Sequence, residues 1–572
     1  MRPQDKILVL DSDMVPALTV ARSLHRCGLS VDIASNTAHP IASYSSAVAA
    51  TLRYPDPMSE DVAFVDWVAA CIVEEKYALI IPVTERTVVP LLRQRGRFDD
   101  RTLAMAPSAA LEIALDKSKT LELAQGLGIP APLSISVNHI AELAQASADL
   151  RYPVVVKPAR SLGTHSKRRV QLSVDYAFNA NELHAKTIHA LQYGSVLLQE
   201  YVGGQGVGVE LIADHGKVVY AFQHRRLHEV PLTGGGSSLR ISEALNPALL
   251  DASAKLMQAL AWHGVAMVEF KRDPDSGRFS LMEINGRFWG SLPLALAAGA
   301  DFPAMLYELM IENAVRSRPP ARLGIYGRHL ARDLYWAELV LRRAGPASLV
   351  HFPSPAQIVK DALLIFSPRH YFDVQQWRDP RPGMVDVWRM LKEQAQRVSR
   401  LIGERRLARR LRKQWAKGTV AARVRNAHQI LFVCYGNINR SILAERYFRI
   451  KTVGMPIACS SAGFHDEDGR PADPAMIKVA ERRGIDLSSA SSKHINNNLI
   501  AEADLIFVME QQHYQRIATE QPEAAERTFL LDARGEIDDP YGKPPDAYAK
   551  CLDAVTQSID HIAQLVGTTK VK

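Results

Sequence analysis

Short apolar runs and helical patterns alternate near both ends of this chain. Residues 6–10 (KILVL) predict a strand, Val15–Arg26 a helix, and residues 29–34 a second strand. YALIIPVTE at 77–85 predicts another buried strand that leads into a helix. Strand–helix alternation of this kind predicts a parallel, three-layer α/β unit over 1–110. A mixed α+β region follows over 111–315, with strands expected at 153–157, 195–199, 206–213, 217–222, 265–271 and 279–284. Residues 316–427 are rich in Arg and Trp and read as a helical, basic connector, punctuated by SPRHY and DPRPG. From 428 to 567 strands and helices alternate again, as expected of a separate α/β domain with a parallel sheet. No internal repeat or low-complexity tract is visible.

Length supports several units, because single hydrophobic cores stop growing near ~250–300 residues and this chain has 572. With 47% apolar and 23% charged residues the composition is globular. No run approaches the ~18 consecutive apolar residues of a membrane span, and MRPQDKILVLDSD has no signal-peptide pattern. Five scattered cysteines, an odd number, imply no disulfide framework, and the expected location is cytoplasmic.

The net charge of +8 is concentrated: residues 397–425 hold eleven Lys or Arg and one acid, Glu404. Val398, Leu401, Ile402, Ala408, Leu411 and Trp415 recur there at helical spacing, which predicts a basic amphipathic helix. Surface contact with a membrane is one reading of it. A solvated linker packed on a neighbouring domain is the plainer one, and no nucleic-acid partner is expected.

The stretch ILFVCYGNINRSILAERYF at 430–448 carries the sharpest chemistry. A strand ends at Cys434, a Gly- and Asn-rich turn follows, and a helix begins near Arg440. Backbone N–H groups and a helix N-terminus there favour both a thiolate and a bound phosphate dianion. Arg440 suits bidentate pairing with phosphoryl oxygens, and Ser441 suits donation of a hydroxyl to the sulfur. Asp539, in DDPYG, is the candidate acid for the leaving oxygen, and Tyr541 is placed to flank the pocket.

The ordered segments CYGNINRS, SSAGFHDEDGRPADP, RRGIDLSSASSKHI, DLIFVMEQQHY and DDPYG resemble the low-molecular-weight protein tyrosine phosphatase family across 428–567. The resemblance implies Cys434 as nucleophile, Arg440 as phosphate clamp, Ser441 as thiolate stabiliser, Asn437 as shaper of the loop and Asp539 as general acid. Many members carry a second loop cysteine where this chain has Asn439, which puts reversible disulfide protection in doubt. Ile442 stands where proline is common. Residues 490–530 hold no cysteine, which argues against the related arsenate reductases.

A second constellation lies upstream. Lys117 opens a helix after Asp116 and Lys157 ends a strand before a Ser- and Gly-containing loop, so both suit nucleotide phosphates. Glu200 and Val202 sit where a strand meets a Gly-rich linker suited to an adenine edge. Glu269, Glu283 and Asn285 fall on adjacent strands as hard oxygen ligands for Mg²⁺, and Arg287 is placed for a transferring phosphoryl group.

These residues resemble the ATP-grasp superfamily, particularly its carboxylate–amine ligase and carbamoyl-phosphate-synthase-like branches, over about 1–315. The resemblance implies ATP and Mg²⁺ (or Mn²⁺) as cofactors, with a small carboxylate and an amine as substrates. It leaves Gln205 or Glu210 for the ribose. The loop LTGGGSSLRIS at 232–242 is either a cover for phosphates or a plain connector, and His224, Arg225 and Arg226 are candidate anion ligands.

The expectation is therefore a fusion of an ATP-grasp ligase-like module with a cysteine phosphatase acting on phosphotyrosine proteins or aryl phosphates. The alternatives are an active phosphatase with a nucleotide-sensing module, and an adaptor that binds phosphorylated partners.

Overall fold

In the computed structural model, which describes residues 5–99, 101–159, 162–165, 168–171 and 174–567, the first apolar run is buried on both sides. Within β1 (Lys6–Val9), Ile7 and Val9 enter one core and Leu8 enters another. Such a strand needs helices on both faces and reads as an unbroken apolar run. It pairs in parallel with β2 (Ser30–Ser35) and β4 (Leu79–Ile81), and β3 (Ala50–Arg53) completes the order β3-β2-β1-β4.

A second, antiparallel sheet follows, built from β5 (Ser134–Val137), β6 (Val154–Pro158), β9 (Asp175–Ala177) and β10 (Val196–Glu200) in the order β5-β10-β6-β9. Between β6 and β9, β7 (Leu162–His165) and β8 (Arg168–Gln171) form a hairpin. Of the Ser- and Gly-containing loop expected after Lys157, residues 160, 161 and 166 lie outside the described residues.

The largest sheet joins β11 (Gln205–Asp214), β12 (Lys217–Val230), β13 (Gly236–Glu243), β14 (Gly264–Arg272), β15 (Phe279–Asn285), β16 (Tyr326–Arg328) and β17 (His370–Phe372) in the order β15-β14-β11-β12-β13-β16-β17. Val207, Val209 and Leu211 of β11 and Val268 and Phe270 of β14 face one core. The opposite face carries glycines and charged groups, and it positions the Glu269 and Glu283 cluster described below.

Two expectations change here. Much of 232–242 is strand β13 rather than a loop, with Ser238, Leu239 and Arg240 buried. Three consecutive glycines masked the strand that follows them. The stretch 316–427 is also not a free helical connector. β16 and β17 extend the large sheet, and the helix Leu330–Leu341 packs Trp336 and Val340 against Val230. Strands of three residues are too short to show alternation in a sequence.

The chain divides into two compact units, Met1–Leu391 and Lys392–Lys572, with the boundary inside the helix Pro380–Ala416. In the second unit β18 (Gln429–Cys434), β19 (Ala458–Gly463), β20 (Leu505–Val508) and β21 (Thr528–Leu530) form a parallel sheet ordered β19-β18-β20-β21. Ile430 and Phe432 enter one core and Leu431 and Val433 the other, so both faces are covered and the layers number three. The expected basic helix is present only as far as Ala416; Gly418, at φ +73°, breaks it and a second helix, Thr419–Asn426, follows. Val398, Leu401 and Ile402 are exposed, whereas Leu411 is buried and Trp415 stacks on Phe507 and donates to Leu530 O at 2.9 Å.

Among the described residues no single helix is long and apolar enough to cross a membrane. All five cysteines are free thiols.

Candidate active sites

Strand β18 delivers Cys434 to the sheet's C-terminal edge, and residues 435–439 turn the chain into the helix Arg440–Lys451. The turn requires one left-handed residue, Asn437 (φ +50°), a conformation asparagine tolerates better than most. Its side chain fixes the turn: Nδ2 donates to Ser441 Oγ at 2.8 Å and to Ser461 Oγ at 2.9 Å, and Oδ1 accepts from Lys493 N at 2.8 Å. Gly463 makes room beneath it, since a Cβ there would lie 2.7 Å from Tyr435 O and 2.8 Å from Asn437 N.

The sulfur of Cys434 accepts from Asn437 N at 3.2 Å and lies 3.0 Å from Ser441 Oγ. Asn437 N donates to the sulfur and the Ser441 hydroxyl can do so, an arrangement suited to a sulfur carrying negative charge. Burial pushes Cys71 up to about 11 and Cys459 and Cys551 up to about 12, so those thiols stay protonated.

Arg440 is almost fully buried. Burial opposes its charge, but Cys434, Asp539 and Glu510 outweigh burial and raise its pKa. Its Nη1 donates to Ile537 O at 2.9 Å and pairs with Glu510, and its Nη2 donates to Asp539 Oδ2 at 2.7 Å. Burial would raise Glu510, yet its contact with Arg440 holds it below the usual carboxylate range. Asp539 is partly exposed, and Tyr435 and Tyr541 stand exposed at the chain positions next to Cys434 and Pro540. The structure thus brings Cys434, Asn437, Arg440, Ser441 and Asp539 into one cluster. Glu510, Ser461 and Glu445 complete it; Ser461 Oγ donates to Glu445 Oε2 at 2.6 Å. Sequence reasoning missed these three, and only Glu510, directly after the apolar run DLIFVM, had a signal at the edge of a strand.

In the first unit Asp116 caps the helix Lys117–Gly126 by accepting from Ser118 N and Lys119 N, which sets Lys117 at its first turn. Lys117 Nζ lies 4.0 Å from Glu283 Oε2. Lys157 points from β6 to Gln199 Oε1 at 2.6 Å. Burial lowers its pKa to about 8, although Glu283 and Glu269 work against that. Glu269 and Glu283 are register partners on β14 and β15, and Asn285 Nδ2 donates to both, at 3.1 and 3.3 Å. Burial alone would raise Glu283, but Lys117, Lys157, Arg287 and Arg226 together lower it. Two carboxylates and an amide this close fit a hard divalent cation.

Arg287 Nη2 lies 3.4 Å from Glu85 Oε1. Glu200 ends β10, and Val202 is half-buried in the linker before Gly204.

Some expectations fail. Glu210 is fully buried, accepting from Ser291 Oγ at 2.6 Å and lying 3.0 Å from His224 Nδ1, so it is closed to a ribose; Gln205 is partly exposed. His224 and Arg225 are not free anion ligands: His224 is buried on Glu210 and Arg225 pairs with Glu243. Arg226 is instead part of the charged cluster, 2.5 Å from Glu269 Oε2, with Glu229 and Lys271 beside it. Gly208 leaves the floor flat there, because a Cβ would collide with the His224 ring at 2.3 Å.

Residues 429–572 match the family described as low molecular weight phosphotyrosine protein phosphatase. Residues 192–332 match the family described as ATP-grasp in the biosynthetic pathway with Ter operon. The probable low molecular weight protein-tyrosine-phosphatase EpsP of Ralstonia nicotianae is 36% identical over 116 residues, 20% of this chain and 79% of that protein. Wzb of Escherichia coli, a low molecular weight protein-tyrosine-phosphatase, is 35% identical over 119 residues, 20% of this chain and 80% of that protein. Among solved structures, an L-amino acid ligase from Bacillus licheniformis superposes with a TM-score of 0.43 at 18% identity, covering 55% of this chain and 78% of that one.

Proposed function

Because the chain belongs, through residues 429–572, to the low-molecular-weight protein tyrosine phosphatase family, we propose that this unit hydrolyses phosphotyrosine or aryl phosphate monoesters. The supporting observation is the sulfur of Cys434 under two donors, with Arg440 bound to Asp539 beside it. The sulfur attacks phosphorus, the P–O bond to the aryl oxygen breaks, and Asp539 protonates that oxygen. Arg440 exchanges its carboxylate contacts for phosphoryl oxygens and offsets the charge that develops on them. Water, deprotonated by Asp539, then releases phosphate and restores the thiolate. Tyr435 and Tyr541 offer rings on which an aryl substrate can stack.

The test is hydrolysis of p-nitrophenyl phosphate and a phosphotyrosine peptide by the full chain. Cys434→Ser should abolish both, and Asp539→Asn should slow turnover. Retained hydrolysis in Cys434→Ser sinks the reading.

For the ATP-grasp module of the first unit, the reading is ATP-dependent joining of a small carboxylate to an amine. Lys117 and Lys157 bind nucleotide phosphates, Glu200 and Val202 meet the base, and Arg287 steadies the phosphoryl group passing to the carboxylate. Glu269, Glu283 and Asn285 would hold Mg²⁺ or Mn²⁺, which neutralises phosphate charge when bound. ADP release should require the divalent ion, a carboxylate and an amine together, and Glu283→Ala should remove it. ADP release unchanged in Glu283→Ala would overturn the metal assignment.

A further inference from the structure

At the end of the large sheet away from Glu269 and Glu283, two tight turns bring three metal-ligating side chains together. Between β11 and β12, His215 and Gly216 form a two-residue turn with φ of +44° and +88°, the conformation that hairpins most often meet with Asn-Gly. The second turn leads from the helix Pro247–Ala259 into β14, with Ala261 at φ +44° and Gly264 at φ +117°. The two are fastened to each other. Gly216 N donates to Trp262 O at 2.7 Å, and a Cβ on Gly216 would lie 3.1 Å from the Cα of Gln258.

The turns place Asp214 Oδ1 3.1 Å from His263 Nδ1 and 3.8 Å from His215 Nε2. One ligand atom from each residue lies within 4.8 Å of the others, and the two imidazoles stack at 4.4 Å. Atoms sharing a metal at ~2.0–2.2 Å lie roughly 3–3.5 Å apart, so a modest rotation of the exposed His215 closes the set. His263 Nδ1 is buried and makes no well-aligned hydrogen bond, despite its short distance to Asp214. Nitrogen and carboxylate oxygen already face each other there, as two ligands of one ion must.

We propose that Asp214, His215 and His263 form a site for a divalent transition metal, with Zn²⁺ the best fit. Two imidazoles and one carboxylate favour such ions over Mg²⁺ or Ca²⁺, which take oxygen ligands. The site is separate from the carboxylate cluster. Glu269 pairs with Gly208 on β11, and Asp214 lies six residues further along, roughly 20 Å at ~3.4 Å per residue. Entry is open: all three residues line a cleft of about 710 Å³ that Arg95 and Arg101 also line. A metal bound there would clamp the β11–β12 hairpin to the turn before β14.

The test uses the full chain carrying Cys434→Ser, which removes the reactive thiolate as a competing ligand. Chelator-treated protein in excess Mg²⁺ is titrated with Zn²⁺ by calorimetry and with Co²⁺ by visible absorption. One tight Zn²⁺ per chain and Co²⁺ ligand-field bands are expected. His215→Asn, which keeps a residue suited to the left-handed turn, and His263→Ala should each weaken binding about tenfold or more. Zn²⁺ should also raise the melting temperature of the parent but not of His215→Asn. Zn²⁺ binding that is undetectable, or that both substitutions leave unchanged, overturns the proposal.

Discussion

The Ser441 hydroxyl has one proton and two places to put it. Asn437 Nδ2 fills its acceptor side, leaving the proton for Cys434 Sγ at 3.0 Å or Ala462 O at 3.2 Å. A charged sulfur draws that proton, and hydrogen bonds to charged groups are worth about 1.5–3 kcal/mol. Ser441→Ala should therefore lower kcat for aryl phosphates by about 10- to 100-fold with little change in KM; an unchanged kcat contradicts the role. Lys157 gives a proton-linked test in the other unit. Burial holds it near about 8, so part of the population is neutral at pH 8.5. A bound phosphate favours the ammonium form and raises that pKa, so nucleotide binding at pH 8.5 should take up protons. Calorimetry in buffers of differing ionisation heat reads the uptake, which should vanish in Lys157→Met; no uptake by the parent contradicts the assignment. Cys434 and Arg440 were legible because seven residues of local chain carry both. The place of Arg226 beside Glu269 was not, because it depends on which strands pair, and Glu269 lies 43 residues further on.

At the scale of elements, the phosphate loop is held by the strand beside it. Gly463 of β19 meets Tyr435 and Asn437 where no Cβ fits. Gly463→Ala should push the loop outward and remove phosphate binding while the unit stays folded, as read by phosphate titration and circular dichroism; normal phosphate affinity in this variant would refute that support. The β18–turn–helix order was readable because a run buried on both faces, a Gly/Asn turn and a helical pattern agree with one another. β13, β16 and β17 were not readable, since three glycines or a three-residue length erase the alternation that marks a strand. The basic helix shows a mixed outcome. Its charge drew attention, yet its packing comes from Leu411 and Trp415 near its end. Trp415→Ala should cost the second unit about 2–3 kcal/mol in urea unfolding.

Across the whole molecule, each unit shields a histidine from water, His370 partly and His513 almost fully. Burial, with Arg328 nearby, holds His370 near about 4 in the first unit, and burial holds His513 near about 4 in the second. Unfolded histidine titrates near ~6.5. Between those values the unfolded chain binds more protons, so both units are fully stabilised above pH 6.5 and lose stability as pH falls towards 4. Urea midpoints should drop over that window, and His513→Gln should flatten part of the drop in the second unit; midpoints level down to pH 4.5 contradict it. Phosphoryl transfer to Cys434 is the chemistry proposed for the second unit. Its most direct test is acid-quenched mass spectrometry of Asp539→Asn full-length protein mixed with an aryl phosphate, because slowed hydrolysis should let the covalent intermediate accumulate. A phosphoryl adduct on the peptide containing Cys434, absent in Cys434→Ser, is the predicted result. Turnover with no adduct, or an adduct on another residue, would contradict it.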